Sequence, residues 1–347
     1  MARNTVRRRP ASVAFACVLA AIAGWLGWQT YERSWIETPI AGLRQPLVFE
    51  VPEGASLKAV AGSLARLGLL DQAGAWVRYA RREGLATRIQ AGEYELQPGA
   101  TPAALLEQFV AGRVKLHSVT IPEGWKVREA LALILAHAAV KAELKGAGGT
   151  ALMERLGLGA RHPEGQFFPD TYHFPRGATD GEILLQAHAR MQDALATAWA
   201  ARAPGLPLAD PYEALILASL VEKETGAPDE RGLIAGVFLN RLRKGMRLQT
   251  DPTVIYGMGE AFDGNLRRRD LQADTPYNTY TRAGLPPTPI ALPGRAALEA
   301  AVRPAATDAL YFVATGLGDG RHFFAKSLIA HNENVARHLA NLRAGGA

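Results

Sequence analysis

A hydrophobic segment that ends in two carboxylates is the part of this sequence most suited to chemistry. Residues 215–225 read LILASLVEKET, so Glu222 and Glu224 close a run of apolar side chains. A helix that is apolar almost all round is expected to be buried, and burying an unpaired charge is costly. A carboxyl group in an apolar cleft has a raised pKa and can donate a proton near neutral pH. The segment therefore predicts a carboxyl acid/base.

The helical period places the two glutamates on different faces of this segment. Glu222 shares a face with Ala218 and Ser219, whose small side chains leave room for a ligand. Glu224 lies above bulkier residues and suits a structural ion pair or hydrogen bond. We expect Glu222 to be the cleft carboxylate, with Glu224 and Ser219 supporting it. The alternative is that Glu222 pairs with a nearby arginine such as Arg231 and has a structural role.

The N-terminal segment has the features of a membrane anchor. Residues 11–28 carry no charge, and at ~1.5 Å of rise per residue a helix over 11–30 nearly crosses a bilayer core. The arginines at 7–9 favour a cytoplasmic tail over residues 1–10, which puts the rest of the chain outside the cytoplasm. A cleaved signal peptide is the alternative, but too few apolar residues precede its cleavage box.

Composition and charge exclude several classes of function. The chain has 347 residues, of which 48% are hydrophobic and 21% charged, as in folded domains. Its net charge is +6, and the first ten residues hold four of the arginines. Without a basic stripe interleaved with aromatics, nucleic-acid binding is not expected. Cys17 is the single cysteine, and the histidines lack metal-ligand spacing. We therefore expect no internal disulfide, metal or cofactor.

The remaining chain divides into two regions, and a short sequence repeat occurs in it. VPEG at 51–54 and IPEG at 121–124 each precede a helix-period pattern. The predicted order strand, helix, helix, strand over 47–96 resembles a LysM-type module, which implies contact with N-acetylglucosamine-containing glycans. We expect a LysM-like α/β region at 40–140, although a small α+β domain of other function has the same spacing.

A second domain is expected over residues 160–342, entered through a connection at 140–165 that is rich in glycine and alanine. Helical patterns cover 180–200, 212–225 and 229–243. Two alternating segments at 310–315 and 322–325 flank a glycine-rich turn and predict a C-terminal β-hairpin. The fold class is therefore α+β: an N-terminal transmembrane helix, a LysM-like module, and a mixed α+β catalytic domain with a buried catalytic helix.

Motifs spread over residues 11–340 resemble those of one family, the YceG-like endolytic murein transglycosylases of the MltG type. The matching segments are EGQFFPDTY at 164–172, ASLVEKET at 218–225, VFLNRL at 237–242, MRLQTDPTVIYG at 246–257, YNTY at 277–280, GLPP at 284–287 and HN at 331–332. In this family the first glutamate of the Val-Glu-Lys-Glu-Thr segment is essential. The resemblance therefore implies that Glu222 is the catalytic residue.

The resemblance also implies a substrate and a place of action. Such enzymes cut the MurNAc–GlcNAc bond within peptidoglycan strands, leave 1,6-anhydro-MurNAc ends, and are thought to end strand growth. The implied partners are glycan strands, the inner membrane and peptidoglycan synthases. The implied location is a single pass through the cell inner membrane, with a cytoplasmic N-terminus and a periplasmic catalytic domain.

Other polar residues of the motifs are expected to hold the glycan through amides, hydroxyls or a carboxylate. These candidates are Asn240, Gln249, Asp251, Tyr277, Asn278 and Tyr280. Asp251 also suits a helix cap, and Asn240 could bridge helices. Two other functions stay open: a hydrolytic muramidase with Asp251 as partner carboxylate, and a non-catalytic scaffold that binds peptidoglycan through the LysM-like region.

Overall fold

The N-terminal helix is the first described element of the chain. The computed structural model describes residues 10–345, with side chains from residue 14, so the expected basic tail lies outside the described residues apart from Pro10. Helix α1, Pro10–Ile36, includes a stretch from Ala14 that is long and apolar enough to cross a membrane. Its apolar side chains, such as Phe15 and Trp25, are exposed. These features are compatible with a single-pass anchor.

Two units divide the chain at residues 117 and 118. The first contains, after α1, β1 (Leu47–Val51), α2 (Leu57–Arg66), α3 (Ala73–Arg82), β2 (Gly92–Leu96) and α4 (Pro102–Val110). Strands β1 and β2 pair antiparallel, with Leu47 opposite Leu96. The core is centred on Trp76, Tyr94 and Phe109, which are fully buried. The predicted order strand, helix, helix, strand is thus present.

The end of α1 packs on α3 of the same unit. The Glu32 carboxylate lies 2.6 Å from the Arg82 guanidinium, and the Gln72 amide donates to the Tyr31 hydroxyl at 2.9 Å. Ile36, the last residue of α1, is 2% exposed. The apolar helix therefore continues directly into the folded core of the first unit.

The second unit begins earlier than the sequence indicated, at Ser118. Residues 118–140, which we placed in the LysM-like region, belong to this unit. It opens with the end of β3 (Leu116–Thr120), which pairs with β4 (Thr171–Pro175), and with α5 (Val127–Ala136). Within the expected connection lies a further helix, α6 (Gly149–Arg155), because Leu152 and Met153 are buried against this core.

Helix α8, Pro211–Glu224, lies at the centre of the second unit. It begins where the Asp210 side chain accepts a hydrogen bond from the Glu213 amide, with Pro211 at the first helical position. Residues 214–221 are all buried, as the apolar sequence predicts. The helices packed around it are α7 (Asp180–Ala200), α9 (Arg231–Arg243) and α12 (Arg295–Val302).

The remaining elements of the second unit follow α9 in the chain. They are α10 (Asp251–Met258), a 3-10 turn (Gly259–Ala261), α11 (Arg268–Gln272), β5 (Tyr311–Ala314), β6 (His322–Ala325) and α13 (Leu328–Gly345). Strands β5 and β6 form the predicted antiparallel hairpin, with Ala314 opposite His322. The second unit is therefore mixed α+β, as expected.

Candidate active site

A cavity of about 600 Å³ opens beside the end of α8. Its wall combines the carboxyl-terminal residue of α8, the segment that leads into α10, the β5–β6 hairpin and the start of α13. The polar residues that line it are Glu224, Arg241, Gln249, Thr250, Asp251, Tyr280, Tyr311, His322, His331 and Asn332. This is a concave site with carboxylates, hydroxyls and amides, the groups that bind sugars.

Glu224 is the half-buried carboxyl group at the end of α8 in this cavity. The Thr250 hydroxyl donates a short hydrogen bond to its Oε1. Burial raises the pKa of Glu224 to about 7, and the charge of Asp251 adds to this effect, while the Thr250 hydrogen bond and Arg241 oppose it. A carboxyl group with this pKa is populated in both protonation states near neutral pH, which general acid and general base catalysis both require.

Thr250 reaches Glu224 because its side chain is not used to cap α10. It occupies the N-cap position of that helix without a side-chain capping bond, although threonine is a favoured capping residue. Its backbone amide instead donates to the Thr279 hydroxyl at 3.1 Å, and Thr279 lies 2.9 Å from the Thr253 hydroxyl. This buried threonine cluster fixes the hydroxyl that contacts Glu224.

Asp251 and Tyr280 form a second polar pair in the cavity wall. The Tyr280 hydroxyl donates to Asp251 Oδ1 at 2.5 Å. Asp251 is the first residue of α10, one position after the N-cap, so it does not fill the capping position that the sequence also suggested. Its exposed carboxylate therefore faces the cavity, beside the segment that holds Glu224.

Gln249 has a strained backbone at the cavity. Its φ of 49° is the single positive value among the described residues other than glycine, and such conformations cost about 1–2 kcal/mol. The backbone amide donates to Thr279 O at 3.1 Å, and the side-chain oxygen lies 3.4 Å from Arg241 Nη1. Strained residues cluster at functional sites because the surrounding structure holds them in place.

Arg241 is a buried cation at the floor of the cavity, 7% exposed. Its Nε donates to Leu310 O at 2.6 Å, and its Nη1 donates to Leu248 O at 2.8 Å. The guanidinium carbon lies 5.1 Å from the Tyr311 ring centroid. Arg241 thus ties the hairpin to the 247–249 segment and keeps a positive charge near Glu224.

The far wall of the cavity comes from the hairpin and α13. The His331 ring stacks on Tyr311 at 5.1 Å between centroids. Burial lowers the pKa of His331, and Arg241 lowers it further, so the ring is neutral at pH 7. The hairpin is held against α9 by a 2.8 Å contact between His322 and the buried carboxylate of Glu230.

Glu222, which we expected to be the cleft carboxylate, does not line this cavity, whereas Glu224 does. Its Oε2 accepts a hydrogen bond from the amide of Gly294, the N-cap of α12, at 2.9 Å. Its Oε1 lies 3.8 Å from Arg231, and its side chain is 6% exposed. Burial raises its pKa, as does the charge of Glu123. In the structure Glu222 joins α8 to the start of α12.

The space that small residues leave beside Glu222 is filled by the protein itself. Ala218 and Ser219 are fully buried. The Ser219 hydroxyl donates to Ile216 O at 2.7 Å and accepts from the Ile290 amide at 3.0 Å. The segment leading into α12 therefore occupies the face that we expected to receive a ligand.

Three of the six expected glycan-binding residues do not line the cavity, and their polar side-chain atoms bond to other parts of the protein. The Asn278 amide, fully buried, donates to Ala273 O at 2.6 Å, and its oxygen accepts from the Tyr280 amide. The Asn240 amide donates to Thr307 O and Ala309 O. The Tyr277 hydroxyl lies 2.9 Å from that of Thr288. Asn240, Tyr277 and Asn278 thus shape the site, whereas Gln249, Asp251 and Tyr280 line it.

Residues 49–337 match the family model described as the YceG-like family. The chain belongs to the YceG-like family. A Bacillus subtilis protein named endolytic murein transglycosylase is 31% identical over 328 residues, 90% of either chain. A Streptococcus pneumoniae protein of the same name is 30% identical, and the match covers 94% of this chain but 65% of the relative. The crystal structure of a YceG-like protein from Listeria monocytogenes aligns with a TM-score of 0.50 at 28% identity, covering 83% of this chain and 99% of that one.

Some cavity residues of this YceG-like chain were not among the sequence-based site candidates. Arg241 and the pair His331–Asn332 lie in quoted motifs, yet isolated helical arginines and histidines give no signal of what they face. Tyr311 gave none either, because it reads as a strand residue of the hairpin. The cavity is lined by residues far apart in the sequence. Among the described residues, no group of histidine, cysteine and acidic side chains could hold a metal ion.

Proposed function

We propose that this YceG-like chain is an endolytic murein transglycosylase in which Glu224 is the acid/base. The observation that carries the proposal is a half-buried carboxyl group with a pKa of about 7 that lines a cavity of about 600 Å³. The relatives named endolytic murein transglycosylase support the reaction class. The resemblance assigned this role to Glu222, but that carboxyl lies outside the cavity and bonds to the start of α12.

The reaction needs two proton transfers, one from Glu224 and one back to it. The protonated carboxyl of Glu224 donates to the oxygen that joins MurNAc C1 to GlcNAc O4 as the C1–O4 bond breaks. Positive charge then develops at C1 of MurNAc. The 6-hydroxyl of the same sugar attacks C1, and Glu224 takes its proton as the C1–O6 bond closes the 1,6-anhydro ring. Because the nucleophile belongs to the substrate, its effective concentration is high and no water is consumed.

The cavity residues supply groups suited to a glycan strand. Tyr280 and Gln249 carry a hydroxyl and an amide at the wall. Arg241 supplies a positive charge beside Glu224. We propose that these residues orient the two sugars that flank the cut bond, and that the open cavity lets a strand enter along its length, as endolytic cleavage requires.

Matched glutamine variants test the assignment of the acid/base. Glu224→Gln is expected to abolish turnover of isolated glycan strands by the full-length chain in detergent. Glu222→Gln is the control from the same helix, and is expected to lose stability while keeping the reaction. If Glu224→Gln digests strands at the parental rate, the assignment of Glu224 fails. If Glu222→Gln alone is inactive yet folded, the earlier assignment is restored.

The mass of the products separates this reaction from hydrolysis. A transglycosylase leaves anhydro ends, which are lighter by one water than the reducing ends that a muramidase leaves. We expect anhydro ends alone. Reducing ends that depend on Asp251 would instead support a muramidase with two carboxylates.

The first unit supports a glycan-binding role beside the catalytic one. Its strand, helix, helix, strand order over 47–96 is the order from which the LysM resemblance was drawn, and we propose that this unit binds peptidoglycan. Glu224→Gln should therefore still sediment with insoluble peptidoglycan. A scaffold without catalysis would bind in the same way but show no turnover in the parental chain either.

The membrane anchor sets the proposed place of action. The apolar helix of Ala14–Ile36 and the arginines at 7–9 favour a single pass through the inner membrane with the N-terminus in the cytoplasm. Both folded units would then lie in the periplasm, where synthases extend new strands. Protease added to cells with a permeabilised outer membrane should degrade these units. Full protection would reverse the proposed orientation.

A further inference from the structure

We propose that Asp251 is a second catalytic carboxylate, which stabilises the positive charge on the anomeric carbon, and that Tyr280 positions it. This inference rests on the proposed transglycosylase reaction at Glu224. It assigns a residue to the stabilisation of this positive charge. Glu224 does not perform this role itself, because it has donated its proton and must next accept another.

The placement of Asp251 is the first support. It lies next to Thr250, whose hydroxyl binds Glu224, and both carboxyl groups line the same cavity. The residue is exposed toward that cavity, although the first turn of α10 offers it backbone amides to cap. An aspartate whose purpose was capping would occupy the position of Thr250 instead.

The hydrogen bond from Tyr280 is the second support. The Tyr280 hydroxyl lies 2.5 Å from Asp251 Oδ1, a length typical of a hydroxyl bonded to a carboxylate. Burial raises the pKa of Tyr280, and the bond to Asp251 raises it further, so the hydroxyl keeps its proton and remains a donor. One carboxylate oxygen is thus fixed by protein, and the other remains for the substrate.

The electrostatic relation of the two carboxyl groups is the third support. The charge of Asp251 contributes to the raised pKa of Glu224. The two carboxyl groups thus interact while lining the same cavity, an arrangement found in acid/base pairs. A negative charge that is held in place near a developing cation stabilises the transition state more than the ground state.

The atoms of the reaction balance without a new participant. The C1–O4 bond breaks as O4 takes the Glu224 proton, and the C1–O6 bond forms as O6 returns a proton to Glu224. Asp251 gains and loses nothing. A water activated by Asp251 would compete with O6 for C1 and leave a reducing end, so the product distinguishes the two roles.

Asp251→Asn is the decisive variant, because it removes the charge but keeps an oxygen that can accept from Tyr280. We expect kcat to fall about 100-fold, a magnitude typical of losing one electrostatic contact to a transition state, with KM changed less than about threefold. The alkaline limb of the pH–kcat profile should also move to lower pH, since the pKa of Glu224 falls when the neighbouring charge is lost. Anhydro ends should remain the product.

Asp193→Asn is the matched control, because Asp193 is an exposed residue of α7 outside the cavity, and it should retain the parental kcat. Tyr280→Phe is a second test that leaves the charge in place, and a fall in kcat of about tenfold is expected from loss of the fixed position. It also serves if Asp251→Asn does not fold, in which case parental kcat in Tyr280→Phe overturns the inference.

Failure of the inference and failure of the proposed function give different results. Parental kcat in Asp251→Asn, together with an inactive Glu224→Gln, overturns the role of Asp251 alone. Reducing ends in the parental chain that disappear in Asp251→Asn overturn it as well, because Asp251 would then serve a water. Activity in Glu224→Gln overturns the proposed site itself.

Discussion

Replacing Thr250 by valine is expected to extend activity to higher pH. The Thr250 hydroxyl donates to Glu224 and lowers the pKa of that carboxyl against the larger effect of burial. Valine has nearly the same shape but no hydroxyl, so Glu224 should hold its proton to a higher pH. The helix start should survive the change, because the Thr250 side chain makes no capping bond to α10.

The size of the effect follows from the strength of the lost bond. A hydrogen bond to a charged group contributes about 1.5–3 kcal/mol, and one pKa unit corresponds to about 1.36 kcal/mol. The pKa of Glu224, about 7 in the parental chain, should therefore rise by about one to two units.

The assay is the pH dependence of kcat, measured from the formation of anhydro ends by full-length chain in detergent. The parental rate should be half-maximal near pH 7 on the alkaline side, where the proton donor is lost. Thr250→Val should move this midpoint upward, and Thr250→Ser, which keeps the hydroxyl, should not. A midpoint that stays fixed or moves downward in Thr250→Val refutes Glu224 as the group that titrates.

Three further variants separate stability from function in the second unit. Burial raises the pKa of Glu164 to about 7, above its value in the unfolded chain, so the stability that this carboxyl contributes is lost as pH rises. Between pH 4.5 and 8 the unfolding free energy of the parental chain should therefore decline. In Glu164→Gln this decline, measured by urea unfolding, should be smaller by about 2–3 kcal/mol. Gln249→Gly relieves a positive φ of 49° and should raise the unfolding free energy by about 1 kcal/mol. The same variant should have a lower kcat. An unchanged kcat would show that the Gln249 side chain does not act in the reaction. Asn278→Ala leaves buried carbonyls unpaired and should lower the unfolding free energy by about 3 kcal/mol. This loss should appear as a lower thermal midpoint. A melting curve like that of the parental chain would count against a structural role of Asn278.

Much of the fold follows from local patterns. The apolar run of residues 214–221 predicted a buried helix, and the structure buries each of them in α8. At the start of α4 the Thr101 side chain caps the helix and Pro102 is its first residue. The alternating residues around 316–320 predicted a hairpin. These features depend on period and capping chemistry, which neighbouring residues determine among themselves.

The boundary of the units and the partners of polar side chains could not be predicted in this way. Residues 118–140 contain the second copy of the short repeat, which suggested that they belong to the first unit. The pairing of β3 with β4, whose sequence lies far along the chain, was not visible from that repeat. Asn278 carries the same amide as a glycan-binding residue, but its partners are backbone carbonyls of residues 270–273. Residue type specifies what a group can bond to, and tertiary packing decides which partner it meets.

Which of the two glutamates faces the cavity could not be predicted from the sequence for the same reason. A helical wheel gives the angle between Glu222 and Glu224 but not what packs against each face. The small side chains of Ala218 and Ser219 would admit a ligand, and they equally admit a backbone segment, which is what lies there in the form of the Ile290 amide. Close packing fills such space wherever a chain segment can reach it.

A raised pKa does not by itself identify the acid of this enzyme. Burial raises the pKa of Glu164, Glu222 and Glu224 alike, so each could hold a proton longer than an exposed glutamate. A proton donor must also reach its substrate. Glu164 bonds to the Val127 amide and the Tyr256 hydroxyl, and Glu222 bonds to Gly294. Of these three, Glu224 alone lines the cavity, and this access is the reason why we propose Glu224 as the acid/base.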